Sequence, residues 1–218
     1  MTRSAAVLAG GLATRIRPVT ETIPKLLVEI NGEPFAHHQL RWLKRSGLEH
    51  IVFCLGYRGE QVVEALGDGS RFGLAIDYVF DGPKLLGTAG ALKAALPRLG
   101  DSFFVLYGDS YLDIDFQATE EAFVASGKTA LMTVYRNEGA WDTSNVEFAE
   151  GRLVAYSKTR LTPRMAYIDY GLGVMDATVL DGVAPGETVD LADIYEKLAM
   201  DGDRKSTRLN SSHRCISY

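Results

Sequence analysis

Residues that could bind a phosphate group follow the first apolar run of the sequence. Gly10-Gly11 permit close approach to the backbone, and successive main-chain N–H groups at such a turn can point at an anion. Thr14 adds a hydroxyl, while Arg15 and Arg17 add forked donors that suit phosphate oxygens. Lys25 follows as a further cation. The loop matches neither a Walker A sequence nor a G-x-G-x-x-G fingerprint. The whole set of residues predicts phosphate binding. For the glycine pair alone, an ordinary tight turn is the alternative.

A carboxylate that could bind a metal ion follows a second apolar run. Asp109 comes directly after Ser102–Tyr107 and Gly108. Mg²⁺ takes one or two carboxylates together with phosphate oxygens, so an aspartate placed here suits it. A plain Gly-Asp turn is the alternative. Asp113 and Asp115 lie close by, and they fit a solvated turn and a helix cap better than a metal site.

The alternation of strands and helices along the chain predicts how these loops are positioned. Short apolar runs predict strands, and amphipathic or alanine-rich runs predict helices. The predicted strands are Ser4–Leu8, His50–Leu55, Leu74–Phe80, Ser102–Tyr107, Ala130–Tyr135 and Tyr167–Met175, with a hairpin about Glu150-Gly151. The predicted helices are Pro34–Arg45, Gly59–Leu66, Thr88–Leu96, Phe116–Ala125 and Asp190–Met200, the third of them stopped at Pro97.

This order predicts the α/β fold class, with a Rossmann-like, mostly parallel sheet and helices on both of its faces. In such a sheet, ligands bind outside the carboxyl ends of the strands, which is where both loops fall. No repeat, linker or low-complexity segment interrupts the chain, so we predict one domain over residues 1–202.

Composition and charge exclude several classes of protein. The chain has 218 residues, 46% hydrophobic and 23% charged, with a formal net charge of −5. These values are typical of a globular domain and argue against a general nucleic-acid surface. No apolar run approaches the ~20 residues of a membrane span, and the N-terminus lacks a signal-peptide pattern. Neither the two cysteines nor the four histidines have metal-ligand spacing, so we expect a reducing, cytoplasmic setting and no zinc site.

Residues 203–218, DRKSTRLNSSHRCISY, differ from the rest of the chain because they are basic and lack helical or strand periodicity. They resemble one translated reading frame of a common sequencing adapter, so we expect a non-native, disordered tail. A native disordered tail and a basic arm for nucleic acid are the alternatives. On the adapter interpretation, the natural protein continues past Gly202 and the domain over residues 1–202 is truncated at its C-terminus.

Taken together, the two loops resemble those of the sugar-1-phosphate nucleotidyltransferases. The family's opening motif is approximately L-A-G-G-x-G-T-R-L-x-P followed by P-K, and residues 8–18 read LAGGLATRIRP with Pro24-Lys25 after them. Ala13 for glycine and Ile16 for leucine are the departures. The segments LGDGSRFGLAIDY and LGTAGALKAALPRLGD look most like the heptose-1-phosphate guanylyltransferase and N-acetylmuramate-1-phosphate uridylyltransferase types. The resemblance covers residues 4–201 and implies the nucleotide-diphospho-sugar transferase fold.

The resemblance implies roles for residues in both halves of the chain. Those implied to bind the nucleotide are Leu8, Ala9, Gly10, Gly11, Thr14, Gly87 and Thr88. Those implied to act in catalysis are Arg15, Lys25 and Asp109, with Asp109 binding the cofactor Mg²⁺. Those implied to hold the sugar phosphate are Asn145, Lys158 and Gly171. The family's lysine usually follows a glutamate, whereas Ser157 precedes it here. A hairpin residue, a surface lysine and a packing glycine are the alternatives for the last three.

The resemblance further implies nucleotidyl transfer from a nucleoside triphosphate to a sugar 1-phosphate, as in nucleotide-sugar biosynthesis for bacterial cell-envelope polysaccharide. A phosphate monoester is already an adequate nucleophile, so positioning and charge neutralisation suffice without a general base. The family usually supplies a second magnesium aspartate in a D-x-G-T-like segment near its C-terminus, and no such segment follows Asp193. We therefore expect the 218-residue chain to turn over weakly or not at all.

Two other functions stay open at the level of the sequence. A nucleotidyltransferase with a non-sugar acceptor such as phosphocholine would share the nucleotide side, and a regulatory module would bind a nucleotide sugar without turnover. The base and the sugar are not determined, with a lean towards GTP or UTP by resemblance. The expected partners are an NTP and a sugar 1-phosphate, without nucleic acid or membrane, and the oligomeric state, including a homo-oligomer, is open.

Overall fold

The fold is given by a computed structural model that describes residues 3–137, 139–140, 142–149, 152–200 and 208–210, without the side chains of 15, 152 and 208–210. Its strands are β1 (Ser4–Ala9), β2 (Glu29–Ile30), β3 (Glu33–Pro34), β4 (His50–Leu55), β5 (Ala75–Phe80), β6 (Ser102–Tyr107), β7 (Ala130–Arg136), β8 (Val146–Ala149), β9 (Arg152–Tyr156), β10 (Tyr167–Asp176) and β11 (Arg208–Asn210). Its α-helices are α1 (Phe35–Arg45), α2 (Gly59–Leu66), α3 (Gly87–Leu99), α4 (Phe116–Ser126) and α5 (Leu191–Met200).

Within the described part of the chain, nine strands form one sheet in the order β5-β4-β1-β6-β10-β7-β11-β9-β8. The first four strands of that order run parallel to one another, and β10 lies antiparallel between β6 and β7. The chain passes from β1 to β4 and β5 on one side and then crosses to β6 on the other. The strand order therefore reverses between β1 and β6, which is where a sheet of this kind opens a crevice for a ligand.

Alternating apolar residues explain why the sheet is covered on both faces. In β1, Ala5 and Val7 pack with the apolar sides of α1, α2 and α4. Ala6 and Leu8 point to the other face, where α3 and α5 pack. Successive strand residues face opposite sides of the sheet, so a fully apolar strand requires helices on both. The predicted fold class is thereby confirmed. None of the described helices is long and apolar enough to cross a membrane.

Two elements differ from their predictions. Helix α3 continues through Pro97 to Leu99, so the prediction that Pro97 stops it was wrong. A proline in the last turn forfeits a single backbone hydrogen bond, and the buried side chains of Leu92 and Leu99 hold that turn on the sheet. In the predicted disordered tail, the backbone of Arg208–Asn210 pairs with β7. The other residues of 203–218 lie outside the described part, and the adapter origin stays a prediction.

Candidate active site

A cavity of about 360 Å³ opens at the carboxyl ends of β1, β4, β5 and β6. Both loops singled out from the sequence line it. The residues predicted to bind nucleotide or metal that contribute to its wall are Leu8, Ala9, Gly10, Gly11, Lys25, Gly87, Thr88 and Asp109. Residues far apart in the sequence thus meet at the reversal of strand order, as the connectivity of the sheet requires.

The opening loop leaves β1 at Gly10 and reaches a 3₁₀ turn over Thr14–Ile16. Ala13, which stands where the family motif has glycine, adopts the left-handed conformation with φ 46° and ψ 43°. The hydroxyl of Thr20 donates to the carbonyl oxygen of Ala13 at 2.8 Å and so holds this conformation. Thr14 is exposed at the loop surface. The side chain of Arg15 lies outside the described residues, so its phosphate-binding role stays a prediction.

Lys25 and Asp109 form an ion pair at the mouth of the cavity. Lys25 begins a 3₁₀ turn that is anchored by the buried side chain of Leu26, and Asp109 follows β6 after Gly108. The Lys25 Nζ and Asp109 Oδ2 atoms are 2.5 Å apart, and both side chains are about half exposed. Each charge neutralises the other while remaining accessible to a ligand.

Asp109 offers the chemistry that Mg²⁺ requires but only part of a coordination shell. Its carboxylate is a hard oxygen donor at the cavity wall. Among the described residues, no three His, Cys, Asp or Glu side chains come together as a metal cage. Because Mg²⁺ is commonly held by one or two carboxylates with substrate phosphates and water, Asp109 fits it as one ligand beside a bound triphosphate.

The amino end of α3 forms the opposite wall, and two of its N–H groups are already occupied. The amides of Ala89 and Gly90 donate to the carbonyl oxygen of Val189 at 3.0 and 3.3 Å. Gly87 has φ +71°, and a β-carbon there would lie 2.5 Å from the same oxygen. The segment before α5 thus occupies the Ala89 and Gly90 amides, so these two donors are not available to a phosphate group.

Two further wall residues, Asp81 and Cys54, were not singled out by the sequence analysis. Asp81 follows β5, and its Oδ2 would lie 3.0 Å from a β-carbon on Gly10. Burial raises the pKa of Asp81, and the Leu86 N–H partly opposes this rise. Burial, assisted by the Asp81 charge, raises the pKa of Cys54 to about 12, so its thiol is a neutral part of the floor. The position of Asp81 directly after a parallel strand was the signal that could have found it.

Lys158, predicted to hold the sugar phosphate, pairs with Asp190, a residue that the sequence analysis named only as a helix start. The Lys158 Nζ lies 3.1 and 3.3 Å from the two Asp190 carboxylate oxygens. Asp190 also accepts from the Ala192 amide at 2.8 Å and the Thr88 hydroxyl at 3.2 Å. Burial alone would raise the pKa of Asp190, but these hydrogen bonds hold it below its ordinary value. Since Asp190 lines the cavity, it joins the nucleotide-side Thr88 to Lys158.

The other two predicted sugar-side residues, Asn145 and Gly171, lie close to different parts of the site. The Ser157 amide donates to the Asn145 carbonyl oxygen at 3.0 Å, which places Asn145 beside the strand end that carries Lys158. The Asn145 Oδ1 atom is buried and has no hydrogen-bond partner among the described residues. Gly171 has φ +98°, and a β-carbon there would lie 3.0 Å from Ser110 Oγ, next to the Asp109 loop.

Asp169 lies between Gly171 and Lys158 in a partly buried setting. Its Oδ1 accepts from the Gly171 amide at 2.9 Å. Burial raises the pKa of Asp169 to about 6, although the Gly171 N–H and the Lys158 charge act against the rise. Burial and then the Asp169 charge raise the pKa values of three neighbouring tyrosines, which are Tyr107, Tyr156 and Tyr195. A carboxyl group and uncharged phenols thus cluster beside the cavity.

Sequence relatives act on sugar phosphates. N-acetylmuramate alpha-1-phosphate uridylyltransferase of Neisseria meningitidis is 43% identical over 115 residues, which are 52% of this chain and 50% of that protein. D-glycero-alpha-D-manno-heptose 1-phosphate guanylyltransferase of Campylobacter jejuni is 28% identical over 199 residues, covering 89% and 87% of the two chains. UTP–glucose-1-phosphate uridylyltransferase of Synechocystis is 28% identical over 219 residues, covering 91% and 55%. The chain spans about half the length of several curated relatives that it matches.

A solved structure has the same fold. The inositol-1-phosphate CTP transferase from T. maritima superposes with a TM-score of 0.74 at 25% identity, covering 95% of this chain and 84% of that one. Residues 4–151 match the sequence profile described as nucleotidyl transferase, which spans more than half of the chain. The resemblance noted in the sequence is therefore confirmed, and the chain belongs to the nucleotidyl transferase family.

Proposed function

We propose that this chain transfers a nucleotidyl group from a nucleoside triphosphate to a sugar 1-phosphate, giving an NDP-sugar and pyrophosphate. The observation that carries the proposal is the Lys25–Asp109 pair beside the glycine turn of β1. A cation for phosphate oxygens and a carboxylate for Mg²⁺ stand side by side where the strand order reverses. The names of the three sequence relatives described above, which name sugar 1-phosphates as acceptors, support the same reaction.

The two halves of the proposed site bind different substrates. The triphosphate and its nucleoside are held by the opening loop, by Lys25 and by the walls at Gly87 and Asp81. Lys158 comes from the other half of the sheet and meets the acceptor phosphate. Asp169 and the tyrosines around it provide hydrogen-bonding groups suited to the hydroxyls of a sugar ring.

In the proposed step, an oxygen of the sugar 1-phosphate attacks the α-phosphorus in line. A new P–O bond forms while the bond from the α-phosphorus to its bridging oxygen breaks, and pyrophosphate leaves with that electron pair. No proton has to move, because the attacking phosphate is already anionic at neutral pH. Arg15, Lys25 and Lys158 orient the phosphates and stabilise their charge. Bound at Asp109, Mg²⁺ supplies further neutralisation of the triphosphate charge.

Lys158 tests the acceptor side of this proposal. Because its half-exposed pair with Asp190 is worth about 1 kcal/mol or less, Lys158→Ala should change stability little. We expect it to raise the KM for the sugar 1-phosphate by about tenfold or more, as for a lost charge-assisted hydrogen bond. The dissociation constant for the NTP, measured by calorimetry, should stay unchanged within about twofold. The matched control is Arg160→Ala, which breaks a similar exposed pair to Glu196 on α5.

The experiment is pyrophosphate release by the 218-residue chain across GTP, UTP, CTP and dTTP. Each is combined with glucose, mannose, heptose or N-acetylmuramate 1-phosphate. We expect slow release that requires both Mg²⁺ and one sugar 1-phosphate, together with measurable binding of one NTP. Release without an acceptor, or no binding of any NTP, would overturn the proposal.

A non-sugar acceptor is a second candidate because the T. maritima relative in structure is named an inositol-1-phosphate CTP transferase. Inositol 1-phosphate and phosphocholine therefore belong in the acceptor panel, and faster release with either would favour this candidate. Tight NDP-sugar binding without any release would favour a regulatory module. Because its substrates would be NTPs, we propose a cytoplasmic location for the enzyme. The N-acetylmuramate relative is consistent with a role in bacterial cell-envelope polysaccharide.

A further inference from the structure

We propose that Gln39 is a positioning residue for Asp109, because it fixes the backbone on both sides of that carboxylate. The proposal rests on the proposed function, in which Asp109 binds Mg²⁺. Gln39 lies in α1, has no exposed surface and does not line the cavity. It therefore acts on the site only through the loop that it contacts.

The side-chain amide of Gln39 ties together the two ends of the Asp109 loop. Its Nε2 donates to the carbonyl oxygen of Tyr107 at 3.3 Å and to that of Ser110 at 2.9 Å. Both partners are acceptors, so only the nitrogen end of the amide can face them. The two N–H groups of one side chain thus bracket Gly108 and Asp109.

Other contacts hold the same loop from its remaining sides. The Gly108 amide donates to the carbonyl oxygen of Leu8 at 2.8 Å, which fixes the loop to β1. The Ser110 amide donates to the Tyr107 carbonyl oxygen at 3.1 Å, closing a turn around Asp109. One turn further along α1, Trp42 packs on Tyr111 with their ring centroids 5.4 Å apart. Gln39 is the contact from α1 that reaches the two carbonyls themselves.

The burial of Gln39 is hard to explain by packing alone. Its Oε1 atom is buried and has no hydrogen-bond partner among the described residues. A buried acceptor without a partner is unfavourable, and an apolar side chain of similar length would fill the space without it. The amide is instead matched to the two loop carbonyls. A metal-binding carboxylate must be held within about 0.5 Å of its working position. The two hydrogen bonds from Gln39 restrain the Asp109 loop in this way.

The test compares wild type with Gln39→Met, which keeps the length of the side chain and removes both donors. Mn²⁺ replaces Mg²⁺, and its binding to the chain with GTP or UTP is followed by electron paramagnetic resonance without turnover. We expect Gln39→Met to weaken Mn²⁺ binding about tenfold, a usual effect of losing a hydrogen bond behind a metal ligand. Affinity for the metal-free nucleotide should change less than about twofold. The control Thr119→Val, which removes another buried hydrogen bond, to the carbonyl of Asp115, should change neither.

Hydrogen exchange gives a readout that needs neither ligand nor metal. We expect the amides of residues 108–111 to exchange slowly in wild type and faster in Gln39→Met. Fast exchange there in wild type would overturn the proposal even where the variant does not fold. Unchanged Mn²⁺ affinity in Gln39→Met, or an equal loss of metal-free nucleotide affinity, would also overturn it. If the wild type binds the nucleotide but Mn²⁺ does not bind to that complex, the proposed role of Asp109 fails first and this proposal fails with it.

Discussion

At the scale of single residues, the site consists of cations that carboxylates hold before any ligand arrives. Lys25 pairs with Asp109 and Lys158 pairs with Asp190, and all four side chains are about half exposed. Exposed pairs of this kind contribute little to stability, so a phosphate group can replace the carboxylate at small cost. Lys25 at the cavity wall and Lys158 beside the cavity-lining Asp190 are thus held in place while remaining accessible to a ligand.

Arg15 is the residue whose removal should most reduce turnover. In the proposed reaction its guanidinium stabilises charge on the phosphates, and loss of one such donor typically costs about 10²–10³ in rate. Arg15→Ala should lower pyrophosphate release by that much while leaving the thermal unfolding midpoint unchanged. Arg98→Ala, in the last turn of α3, is the control. Near-normal NDP-sugar formation by Arg15→Ala would contradict its role.

Ala13 should be a strained position in the opening loop. Its φ of 46° lies in the left-handed region, which costs a residue with a β-carbon about 1 kcal/mol. Ala13→Gly should therefore raise the free energy of unfolding by about 0.5–1 kcal/mol in urea titrations, after the extra freedom of glycine in the unfolded chain is subtracted. Ala125→Gly, at an exposed position in α4, should have the opposite sign.

At the scale of elements, the start of α3 is the junction between the two halves of the site. Thr88 donates to Asp190 and accepts from the Leu191 amide at 2.6 Å, so the start of α5 is built onto the start of α3. Asp190 then holds Lys158. A shift of α3 would therefore move groups on both the proposed nucleotide side and the proposed sugar side.

Alanine substitutions at the two ends of α3 distinguish the cost of backbone strain from the cost of a steric clash. Gly87 and Gly100 both have positive φ, but only Gly87 lacks room for a β-carbon, which would meet Val189 O at 2.5 Å. Gly100→Ala should cost about 1–3 kcal/mol of stability from strain alone, because φ 83° with ψ −171° is a conformation that is essentially restricted to glycine. Gly87→Ala should cost about 1–3 kcal/mol more, because the backbone has to move, and should weaken NTP binding. Equal losses of unfolding free energy for the two variants in chemical denaturation would contradict the close packing of Gly87 against Val189.

Sequence patterns located most elements but not the contacts between them. The apolar run at β1 and the cap residue Asp115 of α4 act locally, so they could be predicted from the sequence. Pro97 was misjudged because its effect depends on burial of the final turn of α3. The loops with Lys25 and Asp109 followed from the strand-end rule. Asp190 and Gln39 did not, since an aspartate before a helix or a glutamine within one is common, and their partners lie far along the chain.

At the scale of the whole molecule, Asp169 should make stability depend on pH. Its pKa is raised from 3.8 to about 6 in the folded chain, so the folded state binds a proton that the unfolded state has lost. Stability should therefore fall as pH rises from about 4 to 6 and level off above that range. Asp169→Asn should lack this contribution to the pH dependence of stability. Its unfolding midpoint should therefore rise relative to that of the wild type between pH 4 and 6. A constant difference between the two from pH 4 to 7 would contradict the raised pKa.

The fate of the phosphate groups decides whether the chain transfers a nucleotidyl group. The chain is incubated with a sugar 1-phosphate and the NTP that it binds, labelled in parallel at the α- or the γ-phosphorus. Nucleotidyl transfer predicts that the α label appears in an NDP-sugar and the γ label in pyrophosphate, both dependent on Lys25. A γ label found in inorganic phosphate or on the sugar, with the α label left in a nucleoside diphosphate, would contradict it.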